Sequence, residues 1–364
     1  MSEYFFKNGV TISDYTYIFL CGASFTYKTN DKREVLSTFL KKISNNNRPI
    51  ILEKYFLDRY RKTTKKITYS DAGFSNLYQV EMMVNYLSDI NIIILESIST
   101  GAEAGMFLGE PSAQAKTCLL LPDEMAVEED KLGAFLRLSI KKTNVSILRF
   151  YPQMEKYKLS ENVKGWHTFF NKNDIGHYLG EEIKGVISNL SYEMELRFSS
   201  DMSELKIGKI YYKYNKDEDR LVIKICPRTL MVCVGALLNC EEYEKAFFLN
   251  EGYTILEAEE MIVSWLRSAF INSIAELKGI KASSCKIEIN MNMEELSPNR
   301  TIGMILYLLY AAELITITKK DDYDNNKKVE FGKKMIVLDK GNNNTFYRKY
   351  ENCVGKMIDK KIVL

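Results

Sequence analysis

Apolar runs alternate with amphipathic segments through the first 150 residues of the chain. The runs lie at 17–21, 49–52, 92–95, 117–121 and 145–150, and the amphipathic segments at 31–43, 74–87, 103–114 and 131–140. The runs have the length of buried strands, and the segments repeat apolar positions with the period of a helix. Strands separated by helices predict a parallel sheet with helices on both faces, here a flavodoxin-like doubly wound α/β domain of about five strands.

The second half of the chain follows a different pattern. Residues 207–225 alternate apolar and polar positions around a KDED turn and predict a β-hairpin, whereas 228–249 and 254–278 have helical patterns. Residues 298–338 predict a helix, a strand, a polar turn and a second strand. We therefore expect an α+β C-terminal region with a winged-helix-like end. Such an end binds nucleic acid in some proteins and docks or oligomerises proteins in others, and both alternatives stay open.

The length of the chain fits more than one domain, because 364 residues exceed the size of a single typical domain. We predict a catalytic α/β domain at 1–150, a mixed helical and β-hairpin region at 151–290, and a winged-helix-like or docking domain at 291–364.

Composition indicates a folded and nearly neutral protein. Hydrophobic residues make up 46% of the chain, which excludes wholesale disorder. The 50 Lys and Arg nearly balance the 48 Asp and Glu, so the total charge indicates neither a nucleic-acid nor a membrane partner. Residues 54–66 and 319–334 are locally basic, and each is either a solvated surface or a patch that contacts phosphate.

The cysteines and histidines give little support for a metal site, and no cofactor is expected. The seven cysteines form no C-x-x-C pair and only two histidines are present, so a zinc site is poorly supported. Cys21 and Cys118 lie within apolar runs and are expected to be buried thiols in a reducing compartment.

No segment is expected to enter a membrane. Residues 1–9 lack the order of a signal peptide, and the apolar stretch 301–317 is short and is interrupted by Glu313. We predict that this stretch is a buried core helix that runs into a strand, and that the protein is soluble and cytoplasmic.

The main candidate site lies in residues 91–107, which read NIIILESISTGAEAGMF. The apolar strand is followed by Glu96, by a small-residue loop from Ser97 that includes Gly101, and by Glu103. Open α/β sheets bind ligands at the carboxyl ends of their strands, and a helix N-terminus favours an ionised carboxylate. If a helix begins near Glu103, this residue is either the reacting group or a glutamate that the helix dipole alone favours at this position.

Three further acidic residues surround this strand in the sequence. Glu81 lies at the edge of the apolar stripe of helix 74–87, from which it either reaches the carboxyl ends of the strands or faces solvent. Glu96 either contacts substrate or anchors its loop. Asp89 precedes the strand and is expected to be a turn or cap residue.

A second element of the site is the turn after the first strand. Backbone N–H groups of Gly22, Ala23 and Ser24 could cradle a phosphate or a ribose. The predicted substrate-binding residues are Cys21, Gly22, Ala23, Ser24, Ser97 and Gly101.

These motifs resemble those of the nucleoside 2-deoxyribosyltransferase-like family. The resemblance rests on FLCG at 19–22, on the helix with Glu81, and on DINIIILESISTGAEAG at 89–105, and it covers roughly residues 15–121. In that family a small-residue loop precedes an E-x-G motif whose glutamate attacks the anomeric carbon of the sugar. The motif that matches here is Glu103-Ala104-Gly105.

The branch that the chain resembles most is found as effectors of bacterial retrons, where this domain precedes a winged-helix-type region. The matching residues are Cys21-Gly22, Glu81 and Glu96-Ser97. The transferases commonly have an aspartate where this chain has Ser97, a departure that argues against base exchange more than against simple N-glycosidic cleavage.

The resemblance implies an N-glycosidase toxin of an anti-phage defence system that cleaves a nucleotide or NAD. It further implies a cytoplasmic complex in which a retron reverse transcriptase bound to its RNA–DNA hybrid restrains the toxin, within an oligomer or other assembly. Glu103 would attack or stabilise the anomeric centre, Glu81 and Glu96 would bind ribose hydroxyls or assist proton transfer, and water would complete hydrolysis. The alternative is a non-catalytic nucleotide-sensing or nucleic-acid- or protein-docking module.

Overall fold

The structure is a computed structural model. It describes residues 4–23, 31–56, 76–122, 145–151, 168–190, 193–201, 206–240, 253–274, 277, 279–289, 297–318, 335–339 and 349–356. Four predictions concern residues outside these ranges: Ser24, the helix at 131–140, the basic segment from residue 57 onward, and the polar turn at 319–334.

The strands of the described chain are numbered in sequence order. They are β1 (Tyr4–Phe6), β2 (Val10–Ser13), β3 (Thr16–Cys21), β4 (Asn47–Ile50), β5 (Ile90–Ile94), β6 (Thr117–Pro122), β7 (Ser146–Phe150), β8 (Glu193–Ser199), β9 (Lys209–Asn215), β10 (Arg220–Ile225), β11 (Tyr253–Thr254), β12 (Cys285–Ile289), β13 (Thr316–Thr318), β14 (Met335–Asp339) and β15 (Val354–Lys356).

The α-helices of the described chain follow the same scheme. They are α1 (Lys32–Ile43), α2 (Leu52–Phe56), α3 (Leu77–Leu87), α4 (Ile98–Gly109), α5 (Pro111–Gln114), α6 (His177–Ser188), α7 (Pro227–Leu238), α8 (Ile255–Ser273) and α9 (Pro298–Ala311).

The first of two compact units comprises the described residues of Tyr15–Thr68 and Ser88–Ser191, and we call it the α/β unit. Its sheet has the strand order β4-β3-β5-β6-β7, and all neighbouring strands are parallel. In chain order of the strands this is 2-1-3-4-5, which is the flavodoxin-like arrangement. The predicted doubly wound parallel sheet is therefore confirmed.

Helices cover both faces of this sheet. Alternate β3 residues Ile18 and Leu20 share one core cluster with residues of α1 and α6, whereas Phe19 meets Phe107 of α4 with 6.0 Å between the ring centroids. All five residues of β5 are buried, as expected for a strand packed on both faces.

Helix α4 begins at Ile98, so the predicted start near Glu103 is wrong. The Ser97 side chain accepts a hydrogen bond from the Thr100 backbone N–H, and Thr100 Oγ1 accepts one from the Ser97 N–H at 2.9 Å. This reciprocal capping box satisfies the free donors of the first turn. The segment predicted as a small-residue loop is thus the opening turn of the helix, and Glu103 lies in the second turn.

The second unit comprises the described residues of Met1–Asp14, Tyr69–Leu87 and Tyr192–Leu364. It contains a mixed sheet with the order β12-β10-β9-β8-β2, in which β9 and β10 form the predicted antiparallel hairpin. Helix α7 is buried along its whole length and contacts α3 and α9. Helix α3, which we expected within the doubly wound domain, therefore belongs to this unit.

The C-terminal elements occur in the predicted order. Helix α9 is followed by β13 and β14, which pair antiparallel, and β11 adds a third strand next to β14. Most of α9 is buried, which confirms a core helix that leads to a strand. None of the described helices has the length and apolar character needed to cross a bilayer. The winged-helix assignment and the boundaries at 150 and 290 stay predictions.

A buried ion pair lies in the core of the second unit. Asp14 and Arg228 are 2% and 4% exposed, and Arg228 Nη1 lies 2.6 Å from Asp14 Oδ2. The Tyr350 hydroxyl donates to the other oxygen of Asp14. Charges this deeply buried require such partners, because an unpaired one would lack solvation.

Candidate functional site

The candidate site lies at the carboxyl edge of the parallel sheet. Strand β3 ends at Cys21, β4 leads into α2 with Glu53 in its first turn, and β5 leads through Glu96 into α4. Because parallel strands end at the same edge, segments far apart in sequence meet there. The edge therefore collects several carboxylates and two cationic side chains from α1.

Glu103 is half-buried and has one oxygen that is sealed from solvent. The Cys21 thiol donates a hydrogen bond to its carboxyl group. Its atom Oε2 has less than 1 Å² of exposed surface and no hydrogen-bond partner within the described part of the chain. Buried polar atoms are normally paired, so an unpaired carboxyl oxygen marks a place where a ligand group can bind.

Burial raises the pKa of Glu103 from 4.5 to about 7, with a further contribution from the nearby Glu53 carboxylate. The Arg33 guanidinium and the Cys21 hydrogen bond act in the opposite direction. The expected stabilisation of the ionised form by a helix N-terminus is thus wrong, since α4 begins at Ile98. At neutral pH both protonation states of Glu103 are populated, which suits a group that takes part in acid–base or nucleophilic chemistry.

Arg33 connects three segments of the site. Its side chain is 1% exposed, with Nη1 2.7 Å from Glu53 Oε1 and Nη2 3.0 Å from Asp31 Oδ2. Nη2 also donates to the backbone carbonyl of Ala23 at 2.8 Å. The turn after β3, the start of α1 and the first turn of α2 are therefore joined by one buried guanidinium.

Gly22 lies directly against this arginine. A Cβ atom at Gly22 would be 2.7 Å from Arg33 Cδ and 2.8 Å from Arg33 Cγ, which is closer than van der Waals contact permits. The absence of a side chain at this position lets the backbone of the turn approach Arg33. The predicted substrate-binding turn thus follows Cys21, whose thiol contacts Glu103, although Ser24 itself is not among the described residues.

Glu96 forms an ion pair with Lys32. The Lys32 ammonium lies 4.6 Å from the ring centroid of Phe150 and 5.7 Å from that of Phe170, within cation–π range. The Glu96 backbone N–H donates to Thr100 Oγ1. These contacts favour the anchoring alternative for Glu96 over direct substrate contact.

The remaining predicted site residues have different surroundings. Ser97 caps α4, and a Cβ at Gly101 would meet no atom of the described residues within 4 Å. Glu81 is 9% exposed and lies on α3, in the other compact unit. Asp89 Oδ2 accepts a hydrogen bond from the Tyr17 backbone N–H at 2.8 Å, so its carboxylate contacts β3.

Three residues of the site were not predicted from the sequence: Asp31, Arg33 and Glu53. Glu53 follows β4 much as Glu96 follows β5, and Asp31 is the N-cap of α1, so both had a positional signal. Arg33 had none, because an arginine in the first turn of an amphipathic helix normally faces solvent. Within the described ranges, no group of three or more His, Cys, Asp or Glu residues could hold a metal ion.

The fold and the site define a doubly wound α/β protein with a ligand-binding carboxyl edge. Residues 29–216, just over half of the chain, match the family model of the STM3845 retron effector protein. The chain belongs to this family, and it is a retron-associated defence effector. A search among curated proteins returned no match. The predicted resemblance to retron effectors is confirmed by the family match.

Proposed function

We propose that this effector is a nucleoside 2-deoxyribosyltransferase-like N-glycosidase toxin that hydrolyses the N-glycosidic bond of a nucleotide at Glu103. NAD is the first substrate to test. The observation that carries the proposal is the state of Glu103, a half-buried carboxyl group with a sealed, unpaired oxygen and a pKa raised to about 7. A structural glutamate on a helix surface would have a hydrated carboxylate instead.

The proposed reaction breaks the bond between the anomeric carbon and the base. The ionised Glu103 carboxylate attacks the anomeric carbon or stabilises its positive charge, while the bonding electrons leave with the base. Nicotinamide departs from NAD as a neutral molecule, so it needs less help from a general acid than a purine does. Water then adds to the anomeric carbon and loses a proton, which restores Glu103 and yields a free sugar hydroxyl.

Two features of the chain support hydrolysis over base exchange. Ser97, which stands where the transferases commonly have an aspartate, is committed to capping α4. Among the described residues, no atom would lie within 4 Å of a Cβ at Gly101, beside the second turn of the helix. A site without a loop carboxylate to hold an incoming base leaves water as the acceptor of the glycosyl group.

The same proposal includes the partners of a retron toxin. A reverse transcriptase bound to its RNA–DNA hybrid restrains the effector, and phage infection releases it. The effector acts within an oligomer or a larger complex. The family match supports association with a retron system, and the identity of these partners is part of the proposal.

The test is to incubate the purified chain with NAD and a panel of nucleotides and nucleosides, and to separate the products by chromatography. We expect release of a free base by the wild type and by Glu181→Gln, an exposed glutamate of the same unit, but not by Glu103→Gln. Thermal unfolding of each variant shows whether a loss of activity reflects a loss of fold.

A wild-type protein that binds nucleotides without turnover, alone and with its retron partners, would contradict the proposal. That result would favour the alternative of a nucleotide-sensing or docking module. In that case Glu103→Gln would leave the biological effect intact in cells.

A further inference from the structure

We propose that Arg33 and Glu53 are positioning residues for Glu103: Arg33 anchors both the Gly22–Ala23 turn and the Glu53 carboxylate, and Glu53 acts on Glu103 through its charge. The proposal rests on the proposed function only for its kinetic readout, since its structural readout requires no turnover.

The guanidinium of Arg33 is held by protein groups on several sides. Nε lies 3.3 Å and Nη2 lies 3.0 Å from Asp31 Oδ2, and the other contacts are to Glu53 and to the Ala23 carbonyl. These bonds occupy most of the five N–H donors that an arginine has. Two carboxylates also offset its single charge. Arg33 is therefore a clamp within the protein rather than a ligand for a substrate phosphate.

This position requires a planar guanidinium, whose N–H donors point in several directions. The contacts to Asp31, Glu53 and Ala23 diverge from one guanidinium, and a lysine ammonium is a single point that cannot reach all three. The close approach of Gly22 to the arginine stem fixes the side chain from the other side. Arg33 thus determines where the turn beside Cys21 lies relative to the first turn of α2.

Glu53 is the second carboxylate of the site and is held in place. Its side chain is 18% exposed, and Oε1 accepts from Arg33 at 2.7 Å. Among groups that act on Glu103, Glu53 favours the protonated form, whereas Arg33 and the Cys21 thiol favour the ionised form. Together with burial, which is the larger cause, this fixed carboxylate raises the pKa of Glu103.

Three of the described elements that pack against α4 contain no charged side chain. Strands β5 and β6 and helix α5, which all contact α4, contain no Asp, Glu, Lys, Arg or His. The thiol of Cys118 on β6 lies in the core cluster with α1 and α6. Lys32 and Glu96 neutralise each other as an ion pair. Beside burial, which is the largest cause, the groups that act on the pKa of Glu103 are Glu53, Arg33 and Cys21.

The decisive experiment compares variants that should shift the pKa of Glu103 in opposite directions. The stability difference between Glu103 and Glu103→Gln is measured against pH in the native chain, in Glu53→Gln and in Arg33→Met. The midpoint of this difference curve reports the protonation of Glu103 in each background. Because the midpoint lies halfway between the pKa of Glu103 in the unfolded chain and its pKa in the fold, we expect it to fall by about half a pH unit in Glu53→Gln and to rise by a similar amount in Arg33→Met.

Glu34→Gln is the matched control. Glu34 pairs with Lys54 across the same two helices, 3.4 Å apart, but it is absent from the groups that act on Glu103. Its midpoint should equal that of the native chain. If Arg33→Met does not fold, Glu53→Gln decides alone, because glutamine retains an oxygen that can accept from Arg33. An unmoved midpoint in Glu53→Gln would overturn the proposal.

A kinetic readout separates this proposal from the proposed function. If the chain is an N-glycosidase, the acidic limb of kcat/KM moves with the midpoint, down in Glu53→Gln and up in Arg33→Met. Opposite midpoint shifts without any turnover would support the positioning role and refute the glycosidase. Turnover with an unchanged acidic limb in Glu53→Gln would support the glycosidase and refute the positioning role.

Discussion

Replacing Glu103 with glutamine should stabilise the protein, and the gain should depend on pH. The carboxyl group has a pKa of about 7 in the fold against 4.5 in a model peptide, chiefly because of burial. Each pH unit of such a difference corresponds to about 1.4 kcal/mol, so the full effect is about 3 kcal/mol. Because Glu103 is only half-buried, we take this figure as an upper bound.

The sign of this change in stability depends on whether Glu103 loses its proton first in the folded or in the unfolded state. Below pH 4.5 the group is protonated in both states and contributes no difference. Between pH 4.5 and about 7 the unfolded chain ionises while the folded chain does not, so the free energy of unfolding falls as pH rises. Glutamine is neutral throughout. The advantage of Glu103→Gln should therefore be near zero at pH 4.5, grow up to about pH 7, and stay constant above it.

The assay is urea unfolding of wild type and variant at intervals between pH 4.5 and 8.5, with Glu181→Gln as a control. Glu181 lies on the surface, and its hydrogen bond with Lys184 lowers its pKa, so its replacement should bring no gain at high pH. A Glu103→Gln protein that is equally stable or less stable than wild type at pH 8 would show that the carboxyl group is hydrated or paired. The basis for both proposals at this site would then be lost.

Three further predictions concern stability at other positions. In urea unfolding, Gly22→Ala should lower the free energy of unfolding by about 1–3 kcal/mol, because its Cβ would displace Arg33. Gly101→Ala should raise it by about 0.5–1 kcal/mol, because no described atom lies near that helical position. Equal effects of the two changes would contradict the close approach of Gly22 to Arg33. Arg228→Met should destabilise the chain by about 3–5 kcal/mol, since it leaves Asp14 buried without its cation, and a change below 1 kcal/mol would mean that solvent reaches Asp14. Ser97→Ala should lower the melting temperature by an amount that corresponds to about 1 kcal/mol, while Ser99→Ala should not, and equal losses would argue against the capping box.

The sheet was predictable from the sequence because its strands are buried on both faces. A run such as 92–95, with no polar residue, buries its apolar surface most readily as a strand that is covered on both faces. Because helices separate the runs, the strands are expected to pair parallel. The register and the order β4-β3-β5-β6-β7 then follow the general rules for such folds. Glu103 at the carboxyl edge was predictable for the same reason.

The parts of the site that were missed depend on tertiary contacts. Ser97, Ser99, Thr100 and Gly101 resemble a loop by composition, and the capping box here uses Thr100 where Glu or Gln is usual. Arg33 and Glu53 are 20 residues apart and become partners only once β3 and β4 pair. The apolar stripe of α3 showed that the helix is buried but carried no information on which unit it packs into.

Segments of the two units alternate along the sequence, which affects both the synthesis of the protein and the ways in which the chain can be divided. In sequence, the α/β unit is an insertion within the second unit, interrupted once by Tyr69–Leu87. Strand β1 pairs with β15, Phe5 opposite Gly355, so the second unit cannot close until β15 has been synthesised. A cut near residue 150 would therefore divide both units, and neither half of the chain would contain a complete one.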